Sequence, residues 1–112
     1  MYYIQKRMEI SASHRLELDY ESKCCQMHGH NWIITVYCMA ESLNENGMVV
    51  DFVEIKNKVK KKLDHTVLND VLDFNPTAEN LAFWVCSQIE SCYKVEVQES
   101  QGNMAIYEVS GE

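Results

Sequence analysis

The sequence predicts an α+β domain, one antiparallel sheet with two helices on one face, in the order β-β-α-α-β-β. Two stretches of period-two alternation open the chain, two stretches of helical period fill its middle, and a pair of short alternating stretches closes it. At 112 residues with a plentiful apolar fraction, the chain is expected to fold as a single domain over residues 1–112.

Residues 2–16 place Tyr2, Ile4, Met8, Ile10, Ala12, His14 and Leu16 on one face, with Lys6 as the exception, which is the pattern of a strand. Residues 28–40 repeat it with His28, His30, Trp32, Ile34, Val36 and Cys38. The other face of this second strand carries Ile33, Tyr37 and Met39, so it calls for cover on both sides, from helices and from another subunit. A polar loop at about 17–27 joins the two strands. After the turn signal "NENG", Phe52, Ile55, Val59 and Leu63 recur at helical spacing, with Asp51 and Glu54 set for a capping box. Pro76 and Thr77 start a second helix with Leu81, Trp84 or Val85, Ile89 and Cys92 as its stripe. "YKVEVQES" and "MAIYEV" then alternate around "QGN" as a hairpin, with Tyr93, Val95, Val97 and Glu99 sharing a face.

The net charge of −7 argues against a nucleic-acid or membrane-surface binder, both of which need a basic face. The one basic run, "KNKVKKKL", reads as a solvated helix face. The first residues carry charges where a signal peptide needs an apolar core, so a cytoplasmic protein with reduced thiols is expected. Five cysteines cannot all pair within the chain, and Cys38, Cys86 and Cys92 lie in apolar patterns as small buried residues.

His28 and His30 leave the same face of a strand. Antiparallel pairing of the first two strands brings His14 beside them, and three imidazoles with one open position is the catalytic type of zinc arrangement. Cys24 and Cys25 stay open between metal ligands, a strained vicinal disulfide, a thiolate stabilised by Lys23 and a nearby cation, and loop cysteines without a role. Asp64 beside His65 reads either as an oriented acid/base pair or as a cation favoured at a helix end. Glu99 ends an apolar face and needs either a partner with N–H donors or solvent. Thr77 and Glu79 are, by default, helix-capping residues.

Taken in order, "SASHRL", "CCQMHGHNW", "GMVVDF", "LDHTVLN", "NPTAENLA" and "VEVQES" closely resemble the 6-pyruvoyltetrahydropterin synthase family, over residues 4–109. Three residues between Cys24 and "HGH" make the chain most similar to the bacterial 6-carboxy-5,6,7,8-tetrahydropterin synthases of queuosine (7-deazaguanine) biosynthesis. The resemblance implies a T-fold: a four-stranded antiparallel sheet with two helices, the sheets of three subunits joining into a barrel. It implies a homo-trimer or homo-hexamer with active sites at subunit interfaces.

It also implies His14, His28 and His30 as Zn2+ ligands, Cys24 as catalytic thiol, and Asp64 and His65 as its acid/base partners. Glu99 matches the residue that anchors the pterin, Thr77 and Glu79 lie in the motif that helps seat it, and Lys23, with Arg15, would offset a triphosphate. The implied reaction converts 7,8-dihydroneopterin triphosphate to 6-carboxy-5,6,7,8-tetrahydropterin, releasing acetaldehyde and triphosphate, the work of a carbon–carbon lyase. The alternatives are the sister 6-pyruvoyltetrahydropterin synthase activity, which retains the side chain, and a non-catalytic zinc-stabilised pterin-binding module. Cys25 is a departure, since family members often carry a small residue there.

Overall fold

A computed structural model describes residues 1–110 of the chain. The first strand, β1 (Tyr2–His14), pairs antiparallel with β2 (His28–Ala40) along its whole length, from Tyr2 opposite Ala40 to His14 opposite His28. The alternation survives as burial: Met8, Ile10, Ala12 and His14 on β1, and Trp32, Ile34, Val36 and Cys38 on β2, all face the core. Lys6 is accommodated on that face because its Nζ lies 5.9 Å from the Phe52 ring centroid, a cation–π contact at the sheet margin.

Where one helix was expected there are two short ones, α1 (Phe52–Lys58) and α2 (Lys60–Leu63), with a break at Val59 (φ −115°, ψ −70°). The apolar stripe outlasts the break: Ile55, Val59 and Leu63 are all fully buried. Asp51 caps α1 by accepting from the Val53 N–H (2.8 Å). Glu54 turns instead to Lys58 (3.3 Å), so the reciprocal half of the capping box is replaced by an i,i+4 ion pair.

The sheet has five strands, not four, in the order β3-β1-β2-β4-β5. The addition, β3 (Thr66–Val67), lies parallel to β1 beside Ala12 and Ser13. Two residues are too few to carry any period, which is why the sequence does not announce it. A one-turn helix, α3 (Leu68–Val71), follows it, and α4 (Ala78–Ser87) packs on β4 (Cys92–Ser100) and β5 (Asn103–Glu108). Thr77 caps α4, its Oγ1 accepting from the Asn80 N–H (3.1 Å). The β4–β5 turn is allowed by Gly102 at φ 85°.

A second correction concerns Tyr93. The β2–β4 register slips between Tyr37 and Cys38: Tyr37 faces Lys94 and Cys38 faces Cys92, which leaves Tyr93 as the extra residue of a bulge. Tyr93 therefore leaves the face of Val95 and Val97 and meets Tyr3 and Tyr37 on the opposite side, at 6.1 and 6.3 Å between ring centroids. That opposite side also bears Met39 and Ile106, both exposed. No described residue forms a layer over it.

The core lies between the sheet and the helices, with Trp32, Ile34, Val36, Leu68, Leu81, Val85, Val95 and Val97 all at zero exposure. Cys38, Cys86 and Cys92 are buried within it, as their patterns predict. The Cys38 thiol is held well above the usual range, first by its hydrogen bond with Cys92 and then by burial, so it is chemically quiet at neutral pH. Among the described residues, no helix is long and apolar enough to cross a membrane.

Candidate metal centre and active site

The β1–β2 register does for the histidines what the spacing predicts. His14 is the direct partner of His28, and Ala12 that of His30, so three imidazoles converge where the first hairpin opens. Ring centroids are 4.6 Å apart for His14–His28, 5.2 Å for His14–His30 and 4.8 Å for His28–His30. The candidate ligand nitrogens all lie within 4.8 Å of one another. Trp32 supports the group from below, 4.9 Å from His14 and 5.3 Å from His30, its indole N–H tied to the Ala12 carbonyl (3.1 Å).

These residues fit a zinc-class ion by their own hydrogen bonding. His14 Nδ1 lies 2.8 Å from the Pro76 carbonyl and His28 Nδ1 lies 2.7 Å from the Gln26 carbonyl. A carbonyl only accepts, so both Nδ1 atoms carry the proton and both Nε2 atoms present a lone pair, the arrangement that backs metal-ligating histidines. His14 Nε2 and His30 Nε2 are buried and have no hydrogen-bond partner, a costly condition that a cation between them would relieve. Burial is the main cause that holds the His14 and His30 pKa values below the ordinary histidine value, so both rings are neutral at pH 7, as ligation requires. Glu99 Oε1 stands 3.6 Å from His30 Nε2, too far for a hydrogen bond but near enough to lend negative charge to the cluster.

Glu99 is also where a second feature begins. With Glu79, Ala78, Asn103 and Met104 it lines a cleft of about 300 Å³ between the start of α4 and the β4–β5 turn. A carboxylate that ends an apolar face thus looks into an open cleft beside the histidines. Thr77 is spent on its capping bond, so its side chain serves the backbone at the cleft's rim.

Cys24 sits half-buried in a single 3-10 turn, Lys23–Cys25, where the Ser22 Oγ accepts from its N–H (3.1 Å). Its carbonyl accepts from the Leu16 N–H (2.7 Å), which folds the loop back onto the chain just past His14. Cys25 diverges from it: its Sγ donates to the Tyr20 carbonyl (3.7 Å) and lines a separate loop cleft with Leu18, Tyr20 and the exposed Lys23.

Asp64 and His65 are positioned by Ser11. The Ser11 N–H donates to Asp64 Oδ1 (2.9 Å) and the His65 N–H donates to the Ser11 carbonyl (2.7 Å). This double hold carries His65 into the left-handed region, φ 60°, the one such non-glycine residue among those described. Asp64 Oδ2 lies 3.5 Å from His65 Nε2, while the His65 side chain remains 82% exposed. His65 and Asn31 border an open depression of about 380 Å³ that also includes Ser11, Ser13 and His30. Cys24 and the Asp64–His65 pair thus dock on backbone five residues apart, about 16 Å along an extended chain. No hydrogen bond joins them within this chain.

Sequence reasoning missed the groups that hold the site: the Pro76 and Gln26 carbonyls, the Ser11 backbone, and the Asn69 and Asn75 carboxamides, which bond to the backbone of residues 15 and 17. Only Pro76 left a signal, and it read as a helix start.

The sequence profile described as "6-pyruvoyl tetrahydropterin synthase" matches residues 3–110. The 6-carboxy-5,6,7,8-tetrahydropterin synthase of Synechocystis sp. is 36% identical over 121 aligned residues, covering 96% of this chain and 93% of that protein. The 6-pyruvoyl tetrahydrobiopterin synthase of Dictyostelium discoideum is 31% identical, covering 93% of each. The solved structure of Caenorhabditis elegans 6-pyruvoyl tetrahydropterin synthase superposes with a TM-score of 0.77 at 25% identity, covering 97% of this chain and 96% of that one.

Proposed function

The chain belongs to the 6-pyruvoyl tetrahydropterin synthase family, and from that premise we propose that it converts 7,8-dihydroneopterin triphosphate to 6-carboxy-5,6,7,8-tetrahydropterin, with loss of acetaldehyde and triphosphate. The observation that carries the reading is the pair of buried, partnerless Nε2 atoms on His14 and His30, facing the Glu99 carboxylate. A metal site thereby adjoins an anionic cleft suited to a ligand rich in N–H donors. The choice of product rests on the Cys24-x3-His28 spacing and on the name of the Synechocystis relative. The pathway would be queuosine biosynthesis, in the cytoplasm.

In this reading His14, His28 and His30 hold zinc, which supplies a Lewis acid that acidifies the C–H beside the side-chain hydroxyls of the substrate. Glu99 accepts hydrogen bonds from the pterin N–H groups and fixes the ring, with Glu79 and the Thr77 backbone at the rim of the cleft. Cys24 moves protons at the side-chain carbons. His65, held by Asp64, serves as the complementary acid/base group. Lys23 and Arg15 offset the charge of the triphosphate. The pterin is reduced by redistribution of its own electrons, so no nicotinamide enters.

The 82% exposure of His65 and its docking away from Cys24 favour a site completed by a second copy of the chain. The uncovered sheet face with Tyr3, Tyr37, Met39 and Ile106 supports the same view, a trimer or hexamer whose sheets join into a barrel. The second reading, 6-pyruvoyltetrahydropterin formation, is favoured by the Dictyostelium relative. Incubation of the zinc-loaded protein with dihydroneopterin triphosphate separates them: acetaldehyde and a 6-carboxy product support the proposal, a pyruvoyl side chain supports the sister activity. Binding of the pterin without turnover would leave only the non-catalytic module.

A further inference from the structure

Between His14 and the Cys24 loop runs a stretch, residues 15 to 17, that belongs to no strand yet is hydrogen-bonded like one. The Arg15 N–H donates to Asn69 Oδ1 (2.9 Å) and Asn69 Nδ2 donates back to the Arg15 carbonyl (3.0 Å). Two residues on, the Glu17 N–H donates to Asn75 Oδ1 (2.9 Å) and Asn75 Nδ2 donates back to the Glu17 carbonyl (3.0 Å). An antiparallel strand makes this reciprocal exchange with every second residue of its neighbour. Here two side-chain carboxamides make it, because each carries a donor and an acceptor on one planar group. The residue between them points the other way, and its N–H reaches the Cys24 carbonyl (2.7 Å).

Asn75 is itself anchored: its own carbonyl accepts from the Thr77 N–H (2.9 Å) and from Asn80 Nδ2 (3.0 Å). The next residue, Pro76, supplies the carbonyl 2.8 Å from His14 Nδ1. One short segment therefore orients the His14 imidazole and, through the adjoining Asn75, grips the backbone on which the Cys24 loop rests.

We infer that Asn69 and Asn75 are positioning residues, a two-rung surrogate strand that sets the Cys24 thiol relative to the His14 ligand nitrogen. The assignment rests on the metal-and-thiol reading proposed for the site. It explains why these positions hold asparagine: aspartate has no donor for the facing carbonyl, glutamine is a methylene too long, and alanine or serine loses both rungs.

The test uses the full chain, stripped of metal and titrated with Co(II), whose visible bands report ligand geometry. Asn75→Ala and Asn69→Ala are compared with Asn44→Ala. Asn44 makes a comparable pair of bonds, to the Asn46 and Met48 N–H groups (2.9 and 3.0 Å), in the turn beyond the other end of β2. Asn75→Ala is expected to weaken Co(II) binding roughly 10- to 100-fold and to shift the bands, whereas Asn44→Ala changes neither. In a Cys25→Ser background, both site variants should alter the rate at which iodoacetamide alkylates Cys24.

Asn75→Asp keeps the acceptor for Glu17 but lacks the donor, and it decides the matter by the same readouts if the alanine variants do not fold. Unchanged Co(II) affinity, bands and Cys24 alkylation in the site variants, with or without a lower Tm, would overturn the assignment. A wild-type chain that shows these shifts yet fails to turn over dihydroneopterin triphosphate removes the proposed reaction and leaves the assignment standing. A wild-type chain with turnover, beside variants of full affinity and unaltered thiol reactivity, does the reverse.

Discussion

Replacing His30 by leucine should separate stability from ligation. His30 Nε2 is buried without a partner, and the nearest acceptor, Glu99 Oε1, is beyond hydrogen-bond range at 3.6 Å. An unsatisfied buried nitrogen costs about 1–3 kcal/mol. The side chain keeps 19% exposure, which places the relief at the low end, about 1 kcal/mol. Leucine brings similar volume and packs on Trp32, so the metal-free His30→Leu chain should be at least as stable as the metal-free parent. Zinc should then distinguish them in the opposite sense. At a free concentration about 100 times the dissociation constant it stabilises a folded protein by about 2.7 kcal/mol, a Tm rise of roughly 10 °C for a domain of this size. The parent should show that rise and the variant should not. Scanning calorimetry with chelator and with zinc measures both. A metal-free variant destabilised by more than about 2 kcal/mol, or one that keeps the zinc-dependent rise, would refute the argument that His30 is held ready for a cation.

Trp32→Ala should lower stability by about 3–5 kcal/mol and loosen metal binding together, because the fully buried ring packs on both His14 and His30; denaturant titration and Co(II) titration measure the two effects. His65→Gly should keep folding stability within about 1 kcal/mol, since glycine accepts φ 60° freely. His65→Val should lose about 1–2 kcal/mol, and both should lose turnover, which the dihydroneopterin triphosphate assay reads. The metal-free chain should weaken as pH falls below 6.5. Burial lowers the folded-state pKa of His14 and His30, so the unfolded chain binds more protons in that window, and the stability present above 6.5 is lost as pH approaches the folded values. Urea melts from about pH 8 to pH 5 with and without zinc should show the metal moving this loss to lower pH.

Long periodic segments were legible and short or non-periodic ones were not. Alternation placed β1 and β2 correctly, and the hairpin then delivered His14 to His28 and His30 with no further assumption. The helical stripe Ile55, Val59, Leu63 was legible even though the helix beneath it breaks, because burial depends on spacing and not on continuity of the backbone ladder. The bulge at Tyr93 was invisible, since alternation assumes a constant register and a one-residue slip turns the side chains on its far side to the opposite face. The edge strand Thr66–Val67 was too short to register. Its consequence is functional, for it carries Asp64 and His65 onto Ser11. The partners that orient the histidines are backbone carbonyls, and Asn69 and Asn75 act on backbone too. Residue type says nothing about a carbonyl's direction, so this layer becomes readable only in three dimensions.

X-ray absorption at the zinc edge of the loaded wild-type protein tests the three-histidine centre most directly, because it reads the donor atoms themselves. The predicted first shell is nitrogen and oxygen alone, with three imidazole nitrogens at about 2.0–2.1 Å and an open position taken by solvent. A sulfur shell at about 2.3 Å would make Cys24 or Cys25 a ligand, and would contradict both the three-histidine centre and a thiol free to move protons.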